Sequence, residues 1–271
     1  MLIDINAYVG NFPFRTLRDN TPDKLIARLD RSGIQMAAVS SIDALFHRHP
    51  YSANQKLYRD LEPHKDRLIP IGTVHPMSPH WEADLADCLN WGMKGIRIFP
   101  PYQGFESNGP EAKSVAQACA QNNIPIFIPN RLEDTRQHHW MDPAKESNLT
   151  HIADLITEVP EATVIIPNAR GISTSALWKR QELRNGNWYI DLSLAEIFYK
   201  LHRSANSMDD LADLIDEGGA RHILFGTNLP LSYAGPALVK REQLPVDADT
   251  LENISYRTAA NLLNIELNNP K

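Results

Sequence analysis

Between Asn130 and Asn148 the chain sets Glu133, Asp134, His138 and His139 beside Arg131 and Arg136. Carboxylates and imidazoles can give or take a proton, and a guanidinium can clamp a carboxylate or phosphate through two parallel hydrogen bonds. His139 or Glu133, with His138 beside them, is therefore the candidate acid or base, and Arg131 a candidate anion anchor. The same residues also read as a solvated loop whose charges pair with one another. Adjacent histidine side chains diverge in most backbones, so His138-His139 makes a poor metal chelate.

Further candidates lie on short apolar runs and just beyond them. Alternation along Lys94-Gly95-Ile96-Arg97-Ile98-Phe99 puts Lys94 and Arg97 on opposite faces, so one of these cations points inward and can meet an anion or an interior salt-bridge partner. His75 precedes Pro76 and suits a hydrogen bond to a ligand at a rim. Arg15 follows Phe12-Pro13-Phe14, two aromatics that wall a pocket or plug it. Arg170 adds a cation that Asp191 could orient, whereas His47 and His49 read as surface histidines. Nucleophilic catalysis finds little support: there is no Gly-x-Ser-x-Gly elbow, and neither Cys88 nor Cys119 follows a strand.

These residues need a scaffold, and 271 residues suffice to bury a full core. With 27 basic and 33 acidic residues and no run of Lys and Arg, the chain shows no footprint for nucleic acid or a membrane surface. The favoured partner is a small polar or carboxylate-bearing molecule. The start, Leu2-Ile3-Asp4-Ile5, reads as a strand without a leader, and no segment approaches the ~18 apolar residues that span a bilayer. Two cysteines in helical periodicity imply buried thiols, not disulfides, and a cytoplasmic protein.

Apolar runs of strand length recur at 2–9, 35–42, 68–75, 94–99, 124–128, 163–167, 188–194 and 222–226, with amphipathic segments between them. In the first such segment Thr21 can cap, Pro22 suits the first turn, Leu25, Ile26 and Leu29 share a face, and Gly33 stops the helix. Segments 80–91 and 111–121 repeat the pattern. Eight βα units predict an α/β fold, a single-domain (β/α)8 TIM barrel over 1–271, whose sites lie at the carboxyl ends of its strands. A doubly wound open sheet is the alternative, but Tyr8-Val9-Gly10-Asn11-Phe12-Pro13 is not the glycine-rich phosphate turn it would carry.

Ile3-Asp4 through Gly10, Gly92 through Ile98, Ile124 through Ile128, Ile223 through Pro230 and the closing Ala259-Ala260-Asn261-Leu262-Leu263 come in an order and spacing that resembles the amidohydrolase superfamily, in its amidohydrolase-related, metal-dependent hydrolase branch. The resemblance implies His-x-His on the first strand, a His ending the fifth and the sixth, and an Asp ending the eighth, all holding a divalent metal. Here those positions fall on Asn6 and Tyr8, on Pro129 or Asn130, on Asn168 and on Asn228. Neutral amides lack the charge and donor strength to hold zinc or to activate its water, and Asn228 cannot serve as the base that the eighth-strand Asp provides.

Three readings follow: a barrel keeping only structural amides, a polar pocket with its chemistry moved to other residues, or a metal such as zinc recruited elsewhere. The second is adopted, with no metal or cofactor. It sees a mouth lined by Asn6, Tyr8, Arg97, Asn130, Asn168 and Asn228, with Arg15, His75, Arg131 and Arg170 as further ligand contacts. The activity the resemblance implies is hydrolysis or non-oxidative decarboxylation of a small polar or anionic molecule, and the competing class is a non-catalytic binding or scaffold protein. Pairing of copies through outer helices is also what the resemblance implies.

Overall fold

Each apolar run becomes parallel strand: β1 (Ile3–Val9), β2 (Met36–Ser41), β3 (Leu68–Pro70), β4 (Gly72–Thr73), β5 (Ile96–Arg97), β6 (Ile126–Phe127), β7 (Val164–Ile166), β8 (Trp188–Asp191) and β9 (Ile223–Leu224). This computed structural model describes residues 1–134, 136–193 and 208–267. β3 and β4 are two halves of one expected strand. Pro70 has no N–H to give the ladder, and the Ile71 N–H, 2.9 Å from the Val39 carbonyl, carries the pairing past the break. Prolines at 125, 129 and 167 likewise shorten β6 and β7 relative to the sequence expectation.

The strands pair in the order β1-β2-β3 and β4-β5-β6-β7-β8-β9. Backbone hydrogen bonds join the last strand back to the first: Ile5 N–H to Phe225 O at 3.0 Å, Asn228 N–H to Asn6 O at 2.8 Å and Tyr8 N–H to Leu229 O at 2.7 Å. The fold is the expected (β/α)8 barrel, not an open sheet, because these bonds leave the two outermost strands no free edge. Helices such as Pro22–Arg31, Trp81–Asn90, Pro110–Gln121 and Leu149–Glu158 pack Leu25, Leu29, Leu85, Val115 and Ile152 onto the outward strand residues Ala7, Val39, Ile96, Ile126 and Val164. Thr21 stands at the predicted N-cap without a side-chain cap bond, and Gly33 takes the left-handed φ of 67° that ends the first helix. Cys88 and Cys119 are buried free thiols, Cys88 pushed up to about 12 by burial.

Inside the barrel, Ile3, Ile5, Ile69, Ile71, Phe127 and Leu224 form an apolar floor with Ala259 and Ala260 of the closing helix Thr258–Leu262. Above it the interior turns polar. β1 makes the change with a bulge between Asp4 and Ala7: odd residues face inward before it, and Asn6 and Tyr8 face inward after it. Among the described residues no helix is long and apolar enough to cross a membrane.

Candidate functional site

The polar layer is organised around one cation. Arg97 on β5 is fully buried, and its Nη1 donates to Asn6 Oδ1 at 2.9 Å and to the Tyr8 hydroxyl. Its guanidinium carbon lies 4.5 Å from the centre of the Tyr8 ring and 5.0 Å from that of Phe127. Burial lowers the Arg97 pKa and raises that of Tyr8. Lys94 takes the opposite face of the strand, so the inward cation is Arg97.

Asn6 Nδ2 donates to Asn168 Oδ1 at 3.0 Å and Asn228 Oδ1 at 3.4 Å, while Asn168 Nδ2 donates to Asn228 Oδ1 at 3.2 Å. Asn168 and Asn228 both sit in the left-handed region, φ 58° and 62°, which asparagine tolerates better than other side chains. The single proton of the Ser193 hydroxyl is shared between Asn168 Oδ1 and, at 2.6 Å, Asp191 Oδ1. Asp191 also receives the Asn168 N–H at 2.9 Å, so it braces the layer and does not orient Arg170 as the sequence suggested. Gly226 permits this, since a Cβ there would lie 2.7 Å from Asp191 Oδ2. In the adjoining wall Asp4 receives the N–H groups of Asn6 and Thr227 at 2.9 and 3.0 Å and the Thr227 hydroxyl, and burial pushes it up to about 7.

The layer is closed from above. The segment 130–134 folds over the barrel mouth, where Leu132 O accepts Asn228 Nδ2 at 2.8 Å and Arg131 O accepts Asn168 Nδ2 at 2.8 Å. Leu132 then packs with Tyr8, Phe12, Phe99 and Leu231. This corrects the sequence picture of an open mouth: Asn6, Tyr8, Arg97, Asn168 and Asn228 are at most 1% exposed and line neither the cavity beside Glu133 nor the one beside His75. The reason is the loop itself, whose carbonyls satisfy amides that would otherwise face solvent. Phe12 therefore plugs.

The open space lies beside the plug. A cavity of about 310 Å³ is lined by Phe99, Tyr102, Asn130, Arg131, Glu133 and His138, with Lys145 and Glu146 at its rim. Glu133 is the carboxylate in its wall. Its Oε1 accepts Arg15 Nε at 2.6 Å, while its Oε2 is buried without a hydrogen-bond partner. Burial raises its pKa against the opposing pull of Arg15. Asn130 gives Nδ2 to Ser147 O at 2.7 Å and leaves its Oδ1 unpartnered beside the cavity. Arg131 Nε holds the Asn168 carbonyl at 3.2 Å, tying the cavity wall to the amide layer. His138 Nε2 faces the Ala144 carbonyl at 3.2 Å and Asp142 Oδ2 at 3.6 Å, and the Tyr102 hydroxyl donates to the same Asp142 oxygen at 2.7 Å.

The remaining sequence candidates lie elsewhere. His139 stacks on Phe14 and Trp140, with ring centres 5.8 and 5.9 Å apart, and does not line the Glu133 cavity. Flanking aromatics outcompete the cavity for its imidazole. Arg15 faces Glu133 directly and so acts as its counter-ion. Arg170 pairs with Glu146 at the rim. His75 lines a second cavity of about 470 Å³, across Tyr102, with Phe14, Phe46, Arg48 and Gln103; its Nδ1 has no partner and burial lowers its pKa. Tyr102, Asp142, Lys145 and Glu146 escaped the sequence reading. Tyr102 could have been suspected from its place just past β5, at the carboxyl rim; nothing in the sequence ties it to Asp142.

Comparison with known proteins decides the lineage. The amidohydrolase family model matches residues 12–265. The chain belongs to the amidohydrolase family. A dihydroxybenzoic acid decarboxylase from Polaromonas sp. JS666, solved with bound manganese and the inhibitor 2-nitroresorcinol, is 15% identical over 97% of this chain and 96% of its own, with a TM-score of 0.72. A 5-carboxyvanillate decarboxylase from Sphingomonas paucimobilis is 14% identical over 98% and 99%, TM-score 0.70. A probable 2-pyrone-4,6-dicarboxylic acid hydrolase from Acinetobacter baumannii, with citric acid bound, is 14% identical over 97% and 99%, TM-score 0.65. At such identities the likeness speaks for the barrel alone. No match was found among curated proteins.

A divalent metal of the kind amidohydrolases use does not fit the residues at this barrel's axis. The positions assigned to its ligands carry amides and a phenol, and a guanidinium is hydrogen-bonded to Asn6 and Tyr8. A metal ion there would face that fixed positive charge with no carboxylate or imidazole from those positions to offset it. Among the described residues no three His, Cys, Asp or Glu side chains are grouped to hold a metal. Zinc or manganese added to chelator-treated protein is therefore expected to shift the melting temperature by less than ~1 °C, against the several degrees that site-specific binding produces. A shift of several degrees, reversed by chelator, would contradict this reading.

Proposed function

We propose that this amidohydrolase-family chain is a metal-independent acid–base enzyme. It acts on a small carboxylate-bearing molecule in the Glu133 cavity, by hydrolysis or by non-oxidative decarboxylation. The observation that carries the reading is the Glu133 carboxyl itself, with one oxygen fixed by Arg15 and the other buried, unpartnered and raised in pKa at the wall of a cavity large enough for a ring-sized acid.

Arg15 fixes the plane of the carboxyl, so that Oε2 is the oxygen that moves a proton. Arg131 and Lys145 supply positive charge for the substrate carboxylate at the wall and rim. In hydrolysis Oε2 takes a proton from water as its oxygen attacks the scissile carbonyl, and returns it to the leaving group. In decarboxylation the protonated Oε2 gives its proton to the carbon that inherits the C–C bonding electrons as CO2 departs. His138, held by Ala144 O and near Asp142, can orient the substrate.

The test is a panel of small aliphatic and ring-bearing mono- and dicarboxylic acids and their esters and lactones, scored for product and for CO2 release with wild type and Glu133→Gln. Turnover by the wild type that the variant loses supports the reading. The closed amide layer favours a second reading, a ligand-binding protein descended from an enzyme. Saturable calorimetric binding with no turnover of any bound compound would move the conclusion there.

A further inference from the structure

Arg97 offers more than it uses inside the protein. Its Nη1 makes the contacts with Asn6 and Tyr8, while Nε and Nη2 are buried without a hydrogen-bond acceptor. Those two N–H groups form the side-on fork of a guanidinium, the edge that fits both oxygens of a carboxylate. Among the described residues no carboxylate is hydrogen-bonded to Arg97. Of its acidic neighbours, Asp4 is engaged with Asn6 and Thr227, while Asp191 binds Asn168 and Ser193 through Oδ1, keeps Oδ2 without a hydrogen bond, and with Asp4 offsets the Arg97 charge through space and not by direct contact.

Two hydroxyls share this predicament in the same sector of the wall. Ser40 Oγ on β2 and Thr73 Oγ1 on β4 are fully buried and without partners. Register places them beside the cation. Tyr8 pairs with Ser40 and Thr73 with Arg97, and because paired residues of parallel strands point to the same face, all four turn inward. Ala38 and Ile71, two residues earlier on each strand, lie in the interior apolar floor, which confirms that face. Buried polar atoms are nearly always satisfied, so four orphaned atoms on three neighbouring strands form a coherent donor set. Two residues beyond Thr73, His75 also has a buried Nδ1 without a partner, and the residue lines the 470 Å³ cavity.

We propose that Arg97, Ser40 and Thr73 form an interior binding site for a planar carboxylate-type oxyanion, either a small free one such as formate or bicarbonate or the carboxylate of a larger molecule. The fork takes two oxygens side-on and the two hydroxyls donate to them. The site is separate from the Glu133 cavity and does not depend on the reaction proposed there.

The experiment measures the melting temperature of the full chain in sodium formate, sodium bicarbonate and sodium chloride at matched ionic strength and pH, for wild type, Ser40→Ala, Thr73→Val, Arg97→Lys and Glu133→Gln. Formate or bicarbonate is expected to raise the wild-type midpoint saturably by roughly 3 °C beyond chloride. Ser40→Ala and Thr73→Val should weaken the apparent affinity about tenfold each, and Arg97→Lys, which keeps the charge but loses the fork, should abolish the preference over chloride. Glu133→Gln should respond as wild type does. A small-anion response points to a free ion; a response only to ring carboxylates such as benzoate, added in a second series, points to the carboxylate of a larger molecule, and both support the site. Equal effects of chloride, no effect of any carboxylate, or an undiminished response in Thr73→Val and Ser40→Ala would overturn it. The two hydroxyl variants keep the test decisive even if Arg97→Lys fails to fold.

Discussion

Asn168→Ala is expected to destabilise the barrel by on the order of 4 kcal/mol, lowering the melting temperature by roughly 10 °C. The amide of Asn168 binds four segments at once: it donates to Arg131 O and Asn228 Oδ1 and accepts from Asn6 and Ser193. Truncation leaves buried donors and acceptors without partners, which costs more than the net worth of the bonds themselves. Alanine must in addition adopt φ near 58°, at a cost of about 1 kcal/mol. Asn168→Gly separates the two contributions, because glycine accepts that φ freely and still loses the amide. Urea unfolding of both variants should find the glycine form the more stable by about 1 kcal/mol and both well below wild type. Equal stability of Asn168→Ala and wild type would mean that the amide layer is not what seals the barrel.

Glu133→Gln is expected to lower kcat/KM by about 10²- to 10⁴-fold on whichever carboxylate proves to be the substrate, with little change in fold. The glutamine oxygen can still accept from Arg15, so the loop over the mouth keeps its anchor, but no proton can be exchanged. The pH dependence separates the two reactions. Glu133 holds its proton to higher pH than an ordinary glutamate. A base must be ionised, so hydrolysis should speed up as pH rises through that raised pKa; an acid must be protonated, so decarboxylation should slow over the same interval. Stability carries a matching signature. Between the unfolded and the folded pKa the folded chain binds more protons at this site, so its stability falls as pH rises there, and Glu133→Gln should remove that part of the slope.

The barrel was legible because the apolar runs that make parallel strands are continuous, and because caps and breakers such as Pro22 and Gly33 punctuate the helices between them. Alternation narrowed the inward cation to Lys94 or Arg97, and the hydrogen bonds of Arg97 to β1 decide between them. β1 resisted the same logic: Ile3 and Ile5 face inward, and strict alternation from them would turn Asn6 and Tyr8 outward. A bulge reverses the count, and nothing in Ile3-Asp4-Ile5-Asn6-Ala7 announces it. The strand-end asparagines were read for what they replace in a metal centre. Their left-handed backbone at 168 and 228 shows that they also fit a local conformation that disfavours a branched side chain.

The loop after β6 was recognised as unusual from its charge density, and Glu133, Arg131 and His138 do meet at one cavity. What sequence could not supply was the direction of folding. The loop covers the axis with backbone carbonyls and main-chain turns, so the amides below it bond upward to Leu132 and Arg131 instead of lining an open pocket. Which of two adjacent histidines reaches a cavity depends on a stacking partner far away in sequence; Phe14 takes His139 and leaves His138. The unsatisfied hydroxyls of Ser40 and Thr73 are equally invisible in sequence, since register alone places them beside Tyr8 and Arg97.

The most direct test of the central claim is the pH profile of kcat/KM for wild type and Glu133→Gln on the first carboxylate found to be turned over, in the presence of chelator. A single ionisation above the ordinary glutamate value of about 4.3, present in wild type and absent from the residual activity of the variant, is the predicted result. A profile that Glu133→Gln leaves unchanged, or activity that chelator abolishes, would contradict the account and return the chemistry to another group.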